Sequence, residues 1–288
     1  MSENLNVYEH EIPVGSRLYF GKSAKVKRYI EQKASEILEN DGFSEMVTPF
    51  LSYHQHLSVN VTQLLRFSDS ANHQISLRAD STVDVVRIAL RRLKNGEYKK
   101  WFYIQPVFRY PSLEVYQIGA ELIGDSDVAK SVKLVANLLN ELELDVCLQL
   151  SNIEIPHVIC KILNLPIEIF EKGQIEQILN QNVDWLNKLA LLSSLDDLDS
   201  VSKVVPDELK APIERLKSLA VVAGYKNLRV VPLYYSKMKY YDKLFFRFLD
   251  TNAILAGGGS YEVDGIASSG FAVYTDALIE KLIDKDMK

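Results

Sequence analysis

The chain has 288 residues, a formal net charge of −5 and a pI of about 5.6. Its content of 47% hydrophobic and 25% charged residues is typical of a soluble globular protein. The acidic balance argues against a nucleic-acid-binding protein, because phosphate contacts need a basic surface, and we interpret the basic stretches at 94–100 and 237–243 as solvated surface.

The first part of the chain predicts one helix and two short strands. Apolar residues recur at helical spacing over 23–41, where Ser23 can cap the helix and Gly42 ends it. FSEMVTPFL (43–51) and ISLRA (75–79) each predict a short strand, and the polar segment between them predicts a loop.

Helices and strands alternate in the next part of the chain. A second helix is predicted over about 82–94, with Gly96 as its stop, and a β-hairpin over 101–124. A third helix over about 127–142 leads into the strand DVCLQLS at 145–151.

The character of the sequence changes from about 155 to 224, where short helical runs punctuated by prolines replace the strand signals. We therefore predict a helical insertion subdomain at 155–224 within a core made of 1–154 and 225–288. Strand signals return with NLRVVPLYY, YYDKLFFRFL and ILAGGGSY, before a last helix at about 275–284. Sequential hairpins with helices between them favour an α+β fold with a mainly antiparallel sheet.

The hairpin carries an unusual set of polar side chains. Arg109 ends its first strand, and Gln117 and Glu121 share one face of the second, because strand side chains alternate. A carboxylate among apolar residues needs a partner, and a ligand ammonium would be one. Asp80 and Thr82 lie at a strand-to-helix junction, where N-capping is an equally good explanation for them.

Tyrosines at 234, 235, 240 and 241 precede the last strands. They predict either a half-buried aromatic sheet surface or a pocket wall whose hydroxyls hold a small polar ligand. The glycine-rich segment GGGSY at 257–261 lacks the lysine of a P-loop and the spacing of a dinucleotide fingerprint.

Two cysteines, Cys147 and Cys160, stand in apolar surroundings and predict buried free thiols in a reducing compartment. The five histidines have poor ligand spacing, so we predict no metal and no cofactor. The N-terminal segment shows no secretory pattern, and no window approaches about eighteen apolar residues. These features predict a cytoplasmic protein.

Four segments occur in an order that resembles the catalytic core of class II histidyl-tRNA synthetases, over nearly the whole chain. GFSEMVTPFL is similar to motif 1, SLRADST to the LRPEGT segment, PVFRY with YQIGAELIG to motif 2, and GGGSY with GFAVYTDAL to the run into motif 3. The resemblance implies a six-stranded antiparallel sheet flanked by helices, and a homodimer formed through the motif 1 region.

The same resemblance implies an amino-acid pocket. The residues that it places in contact with histidine, together with two neighbouring candidates, are Asp80, Thr82, Arg109, Gln117, Glu121, Tyr240 and Tyr241. Asp80 and Glu121 would meet the α-ammonium, while Gln117 and Tyr241 would orient the ligand. Arg109, Lys237 or Lys239 would hold its carboxylate.

The departures from this family concern ATP and tRNA. Pro111 replaces the glutamate of motif 2, and the following loop is shortened to about PSLEV. Ala277 stands in place of the motif 3 arginine, Tyr274 in place of a small glycine, and Ser236 in place of an arginine near the aminoacylation centre. Adenylate formation depends on cations that meet the charge developing on phosphate, so aminoacylation is not expected. Nor is an anticodon-binding domain expected after Lys288.

A catalytically inactive synthetase paralogue of this kind is similar to the regulatory subunits of ATP phosphoribosyltransferase, a glycosyltransferase complex. That resemblance implies a short-form catalytic partner, a hetero-octamer of four catalytic and four regulatory chains, and histidine feedback at the first step of histidine biosynthesis. Two alternatives stay open: a stand-alone enzyme that adenylates histidine or another small acid, and a tRNA-binding accessory protein.

Overall fold

A large central sheet with helices packed on one face forms the body of the molecule. The structure is a computed structural model and describes residues 11–93, 99–192, 194–236, 238 and 240–286. The strands are β1 (Ser44–Glu45), β2 (Leu51–Ser52), β3 (Arg66–Ser68), β4 (Gln74–Leu77), β5 (Lys100–Arg109), β6 (Leu113–Leu122), β7 (Cys147–Asn152), β8 (Leu228–Val230), β9 (Tyr241–Asp250), β10 (Ala253–Val263) and β11 (Ile266–Tyr274). The helices are α1 (Gly21–Asn40), α2 (Thr82–Arg92), α3 (Val128–Glu141), α4 (Glu154–Leu163), α5 (Glu168–Glu171), α6 (Ile175–Leu179), α7 (Asp184–Leu191), α8 (Asp196–Ser202), α9 (Asp207–Ala223) and α10 (Thr275–Asp286).

The central sheet follows the order β1-β5-β6-β11-β10-β9-β7-β8. Its six inner strands, from β5 to β7 in this order, are antiparallel to one another, which confirms the predicted antiparallel sheet. The outer strands β1 and β8 lie within the predicted strand segments FSEMVTPFL and NLRVVPLYY, but their parallel pairing with β5 and β7 was not predicted. Each parallel pair is joined by a long crossover that contains helices, as parallel pairing requires.

One face of the sheet is apolar and packs against α1, α3, α9 and α10. Every second residue of the inner strands points to this face, because strand side chains alternate. Phe102, Ile118, Phe246, Leu148 and Phe271 are buried there. Burial of each such side chain stabilises the fold by about 1.5–3 kcal/mol, so this face supplies much of the stability.

The segment between β7 and β8 is helical, as predicted, and contains α4 to α9. Leu186, Leu189, Leu198, Leu209 and Leu216 of these helices are fully buried and belong to the same apolar cluster as the sheet residues. The helical character of this segment is therefore confirmed, whereas its division from the core at 155 and 224 stays a prediction.

The segment expected to be a polar loop has more structure than predicted. It contains two short 3-10 helices, Gln55–Leu57 and Val61–Gln63, and the strand β3. β3 and β2 both pair with β4, so the three form a small second sheet. β11 was also missed by the sequence analysis, although it is a central strand of the main sheet.

Four further features concern the cysteines, the length of the helices, metal-binding residues and the positions outside the described ranges. Cys147 and Cys160 are free thiols, but they are partly exposed rather than buried. None of the described helices is long and apolar enough to cross a membrane, and the described residues contain no cluster of His, Cys, Asp and Glu that could hold a metal. The predicted helix stop Gly96 and the candidate carboxylate ligands Lys237 and Lys239 lie outside the described residues.

Candidate functional site

The second face of the sheet is polar, and the predicted site residues of the hairpin lie on it. Gln117 of β6 is directly opposite Gln105 of β5 and Tyr274 of β11. Glu121, four residues further along β6, points to the same face and is opposite Gly270 of β11. α2 packs against this face of β6 and β10. The prediction that Gln117 and Glu121 share one face is therefore confirmed.

The carboxylate of Glu121 is fully buried between two tyrosines. Its Oε1 accepts a hydrogen bond from Tyr103 Oη at 3.2 Å, and its Oε2 accepts one from Tyr261 Oη at 2.6 Å. Burial raises the pKa of Glu121 to about 8, and the hydroxyl of Tyr261 offsets part of this shift. No cation in the described part of the chain pairs with this carboxylate, so its charged form lacks a compensating positive charge.

Two glycines make room for this arrangement. A Cβ on Gly270 would lie 1.9 Å from Glu121 Oε2, and a Cβ on Gly119 would lie 2.2 Å from the ring of Tyr103. The side chains of Glu121 and Tyr103 therefore lie across the backbone of the neighbouring strands. Glycine is required at these positions for close approach rather than for an unusual φ angle.

Asp80 supplies a second buried carboxylate. Its Oδ2 accepts a hydrogen bond from Tyr240 Oη at 3.3 Å, while its buried Oδ1 has no partner among the described residues. Burial raises the pKa of Asp80 to about 6, and the nearby charge of Arg109 lowers it. The charge of Asp80 also contributes to the raised pKa of Glu121, which indicates that the two carboxylates share one electrostatic environment.

The N-capping explanation holds in part for Asp80, because its carboxylate accepts a hydrogen bond from the N–H of Val83 in the first turn of α2, which lowers its pKa. The N-cap of α2 is Ser81, whose side chain makes no capping hydrogen bond. Its hydroxyl instead accepts a hydrogen bond from Gln105 Nε2 at 3.0 Å. Thr82 Oγ1 lies 3.5 Å from Tyr103 Oη, on the side of the carboxylates. The strand-to-helix junction thus directs both predicted residues toward Glu121.

The backbone that carries Asp80 is held by Gln55, which the sequence analysis did not identify. Gln55 Oε1 accepts hydrogen bonds from the N–H groups of Ala79 and Asp80, both at 2.7 Å. Its Nε2 donates to Asp84 Oδ2 at 2.6 Å. Gln55 is fully buried, so it acts as a positioning residue for the junction.

Arg78 is a second positioning residue that the sequence analysis missed. Its side chain is fully buried, and burial lowers its pKa to about 10. Nη2 donates to the carbonyl oxygen of Pro106 at 2.8 Å, and Nη1 donates to that of Thr48 at 3.0 Å. This guanidinium therefore ties the segment after β1 to β5 and to the junction that carries Asp80.

Arg109 and Gln117 lie beside the carboxylates but make few contacts with them. Arg109 Nε donates to the carbonyl oxygen of Ala79 at 3.0 Å. Its charge also opposes the rise that burial causes in the pKa of Tyr274, which places it near that ring. Gln117 is buried, and its side chain has no hydrogen-bond partner within the described ranges.

Tyrosine rings pack against one another on the polar face of the sheet, close to the two carboxylates. The rings of Tyr240 and Tyr241 have centroids 4.7 Å apart, and that of Tyr240 is 5.7 Å from Tyr261. On the other side, the rings of Tyr241 and Phe245 are 4.9 Å apart. Burial raises the pKa of Tyr240, Tyr241 and Tyr261 well above 10, so their hydroxyls stay protonated and can donate hydrogen bonds.

The site as a whole is suited to an organic cation. Two buried carboxylates face hydroxyl donors, and burial raises the pKa of both, although the charge of Arg109 offsets part of the shift at Asp80. An ammonium group placed between them would supply the missing positive charge and restore their ionised forms. This arrangement of buried carboxylates and hydroxyl donors supports the binding of an ammonium group.

Comparison with known proteins decides the family. Residues 19–278 match the family model of histidyl-tRNA synthetase. Over 279 residues the chain is 45% identical to the ATP phosphoribosyltransferase regulatory subunit of Wolinella succinogenes, which covers 96% of this chain and 97% of that one. The chain belongs to the ATP phosphoribosyltransferase regulatory subunit family.

A second relative agrees with this assignment, and a solved structure shows the same fold. The regulatory subunit of Helicobacter hepaticus is 37% identical over 279 residues, covering 96% of this chain and 99% of that one. The crystal structure of an ATP phosphoribosyltransferase regulatory subunit/histidyl-tRNA synthetase from Bacillus halodurans has a TM-score of 0.84 at 20% identity, and the match covers 96% of this chain and 83% of that one. The class II synthetase-like α+β fold is therefore shared.

Within this regulatory-subunit family, the structure gives a physical context for the positions that depart from the synthetase motifs. Ala277 is partly buried against the main apolar cluster. Ser236 is buried, and its Oγ accepts the N–H of Met238 at 3.3 Å. The ring of Tyr274 lies on the polar face, near both Arg109 and Arg247. A tyrosine there fills space beside the carboxylates that a glycine would leave open.

Glu121 is expected to make the ligand-free protein less stable as the pH rises. Its pKa is about 8 in the folded chain against an ordinary value of 4.5, so between these values the folded state holds the additional proton. The free energy of unfolding should therefore fall as the pH rises from about 5 to about 8. Urea denaturation across this range checks the effect, and Glu121→Gln should make the fall smaller. Equal slopes in the two proteins would contradict it.

Proposed function

We propose that this chain is the non-catalytic regulatory subunit of the glycosyltransferase ATP phosphoribosyltransferase. It is required for the activity of a short-form catalytic subunit and carries histidine feedback at the first step of histidine biosynthesis. The observation that carries the proposal is the pair of buried carboxylates, Asp80 and Glu121, that keeps an ammonium-binding site in a chain with Ala277 and Ser236 at the motif arginine positions. The regulatory-subunit relatives support it.

Histidine is the proposed ligand of this pocket. Its α-ammonium would meet Glu121 and the Oδ1 oxygen of Asp80 that has no described partner. Gln117 and Tyr241 would orient the imidazole, and Tyr240 and Thr82 would complete the wall. Charge-assisted hydrogen bonds in a buried site are the strong ones, and they offset the cost of dehydrating the ammonium. Arg109 is the proposed partner of the carboxylate.

The proposed assembly is a hetero-octamer of four catalytic and four regulatory chains, in which regulatory chains form homodimers through the motif 1 region. Large apolar side chains of that region are exposed in the single chain, including Val47 at 80%, Phe50 at 57% and Leu51 at 50%. Contiguous exposed apolar surface is typical of a protein interface. A cytoplasmic location is also part of the proposal.

Feedback requires that histidine prefer one state of the complex over another. A coupling free energy of about 1–3 kcal/mol corresponds to a change in affinity of about 5–150-fold. Histidine in the pocket would supply this energy only if the carboxylates and tyrosines contact it differently in the two states.

Co-expression with a short-form catalytic subunit from the same genome tests the proposal. We expect the two chains to co-purify and the transferase activity to rise at least about tenfold over that of the catalytic chain alone. We also expect histidine to inhibit the complex, with a coupling free energy of about 1–3 kcal/mol. If the chains neither co-purify nor raise transferase activity together, the proposed function is wrong.

Two assays on the isolated chain separate the alternatives. Histidine-dependent exchange between ATP and pyrophosphate would support a stand-alone adenylating enzyme, for which Arg109 would have to suffice without a cation at position 277. A salt-dependent shift of tRNA in a gel would support a nucleic-acid-binding accessory protein. The regulatory function predicts that neither is observed.

A further inference from the structure

A second cavity lies apart from the pocket around Glu121. It has a volume of about 580 Å³ and lies between the helices α5, α6 and α7 on one side and strands β9 and β10 with the segment after β8 on the other. None of the seven predicted histidine-contacting residues lines it. Apolar side chains form most of its wall: Phe170, Ile178, Ala190, Val231, Leu233 and Ile254. Its volume is within the range of about 300–1,000 Å³ that small-molecule sites occupy.

Arg247 of β9 brings a positive charge to this apolar wall. Its Nε donates to Gln149 Oε1 at 3.0 Å, its Nη2 donates to the same oxygen, and its guanidinium lies 3.7 Å from the ring centroid of Tyr234. Its Nη1 has no hydrogen-bond partner, and none of its nitrogens pairs with a carboxylate, in the part of the chain that the structure describes. Burial lowers the pKa of Arg247. The guanidinium is thus partly dehydrated without a charge partner. A bound anion would lower the free-energy cost of burying this charge.

Arg247 gives the cavity its positive charge, because the other charged residues that line it have opposite signs. Glu171 and Lys172 also line it, but both are exposed at its rim and carry opposite charges. A guanidinium with free N–H groups binds carboxylate and phosphate oxygens with strong hydrogen bonds. The apolar wall at the same time favours a ligand body that is itself apolar.

We propose that this cavity is a second ligand site that takes a small organic anion, whose carboxylate or phosphate pairs with Arg247 and whose apolar or aromatic body packs against Phe170 and Ile178. The site is distinct from the proposed histidine pocket, because none of the seven predicted histidine-contacting residues lines it, although Arg247 lies near Tyr274 at the edge of that pocket. This second site would bind an anion, whereas the proposed histidine pocket would bind an ammonium group.

Titration of the full-length chain with benzoate, phenyl phosphate and benzyl alcohol tests this site, with ligand-observed NMR as the readout. We expect at least one of the two anions to bind at least about tenfold more tightly than neutral benzyl alcohol, because only an anion pairs with the guanidinium. Comparison of the two anions distinguishes a carboxylate site from a phosphate site. Equal binding of all three compounds, or no binding, would overturn the proposal.

Three variants locate the binding. Arg247→Gln should remove the preference for the anions, whereas Arg229→Gln, at an exposed position on β8 that does not line the cavity, should leave it unchanged. Ala190→Leu keeps the guanidinium but fills part of the cavity, so it should weaken binding of the preferred anion at least about fivefold. Thermal unfolding checks that each variant is folded. If Arg247→Gln does not fold, Ala190→Leu still decides, because wild-type affinity in that variant places the anion elsewhere.

Discussion

Glu121→Gln is expected to weaken histidine binding by at least about 30-fold. Removal of one partner from a buried, hydrogen-bonded charge pair costs about 2–5 kcal/mol, and 2 kcal/mol corresponds to about 30-fold in affinity. Glutamine has nearly the same shape and still offers an oxygen to Tyr103 or Tyr261, so the substitution removes mainly the negative charge. Isothermal titration at about pH 8, where a large share of Glu121 is ionised, measures the effect.

Glu262→Gln is the matched control. Glu262 lies on β10, next to Tyr261 in sequence, but its side chain is exposed, and histidine affinity should be unchanged in that variant. Assembly with the catalytic chain should survive both substitutions, because Glu121 is buried inside the single chain. Wild-type histidine affinity in Glu121→Gln would remove Glu121 from the site.

The same variant separates two locations for the feedback site. If histidine binds in the pocket, Glu121→Gln should lose histidine binding to the isolated chain and feedback in the assembled complex together. Feedback that persists in a variant without pocket binding would place the effector at an interface with the catalytic chain. The measurement is the histidine concentration that half-inhibits the complex, compared between Glu121→Gln and Glu262→Gln.

Elements with strong local signals were predicted well from the sequence. α1 spans Gly21–Asn40 against a predicted 23–41, and α3 spans Val128–Glu141 against a predicted 127–142. Both are amphipathic helices whose apolar periodicity is visible within a single segment. The face shared by Gln117 and Glu121 follows in the same way from the two-residue period of one strand.

β11 was missed because its signal is weak and its partners are distant. IASSGFAVY is rich in alanine, serine and glycine, which have low β-propensity, and pairing with β10 and β6 makes it a strand. One local signal could have revealed it. Asp264 and Gly265 both have positive φ angles and join two strands in a two-residue turn, and Asp-Gly is a strong hairpin signal.

The hydroxyl partners of Glu121 could be identified only from the register of the sheet. Tyr103 lies on β5 opposite Gly119, and Tyr261 lies on β10, which is separated from β6 by β11. No spacing within one segment brings either residue to Glu121. The carboxylates could thus be predicted from sequence motifs, but the groups that hold them depend on pairings between strands far apart in the chain.

Gly270→Ala is expected to destabilise the protein and disable the pocket together. The new Cβ would lie 1.9 Å from Glu121 Oε2 and 2.7 Å from the carbonyl oxygen of Ala120, so both the carboxylate and the backbone of β6 would have to move. Overpacking of a well-packed interior costs about 1–3 kcal/mol. Urea denaturation should show that the free energy of unfolding falls by this amount. Histidine titration of the folded variant should show weakened binding.

Gly257→Ala is the matched substitution on β10. Its Cβ would have the carbonyl oxygen of Phe246 as its nearest neighbour at 3.5 Å, which is ordinary van der Waals contact. Its stability should stay within about 0.5 kcal/mol of the wild type or rise slightly, because alanine reduces the entropy of the unfolded chain. Equal losses in the two variants would show that any side chain in these strands is costly and that Gly270 has no special relation to Glu121.

The double variant Gly270→Ala with Glu121→Ala identifies the source of the cost. Truncating Glu121 removes the side chain that the new Cβ would meet first, so the double variant should lose less stability than the sum of the two single variants. The contact with the carbonyl oxygen of Ala120 remains, and the rescue is therefore expected to be partial. Strict additivity would mean that the carboxylate moves away at no cost, and that Gly270 is needed only for the close approach of the two strands.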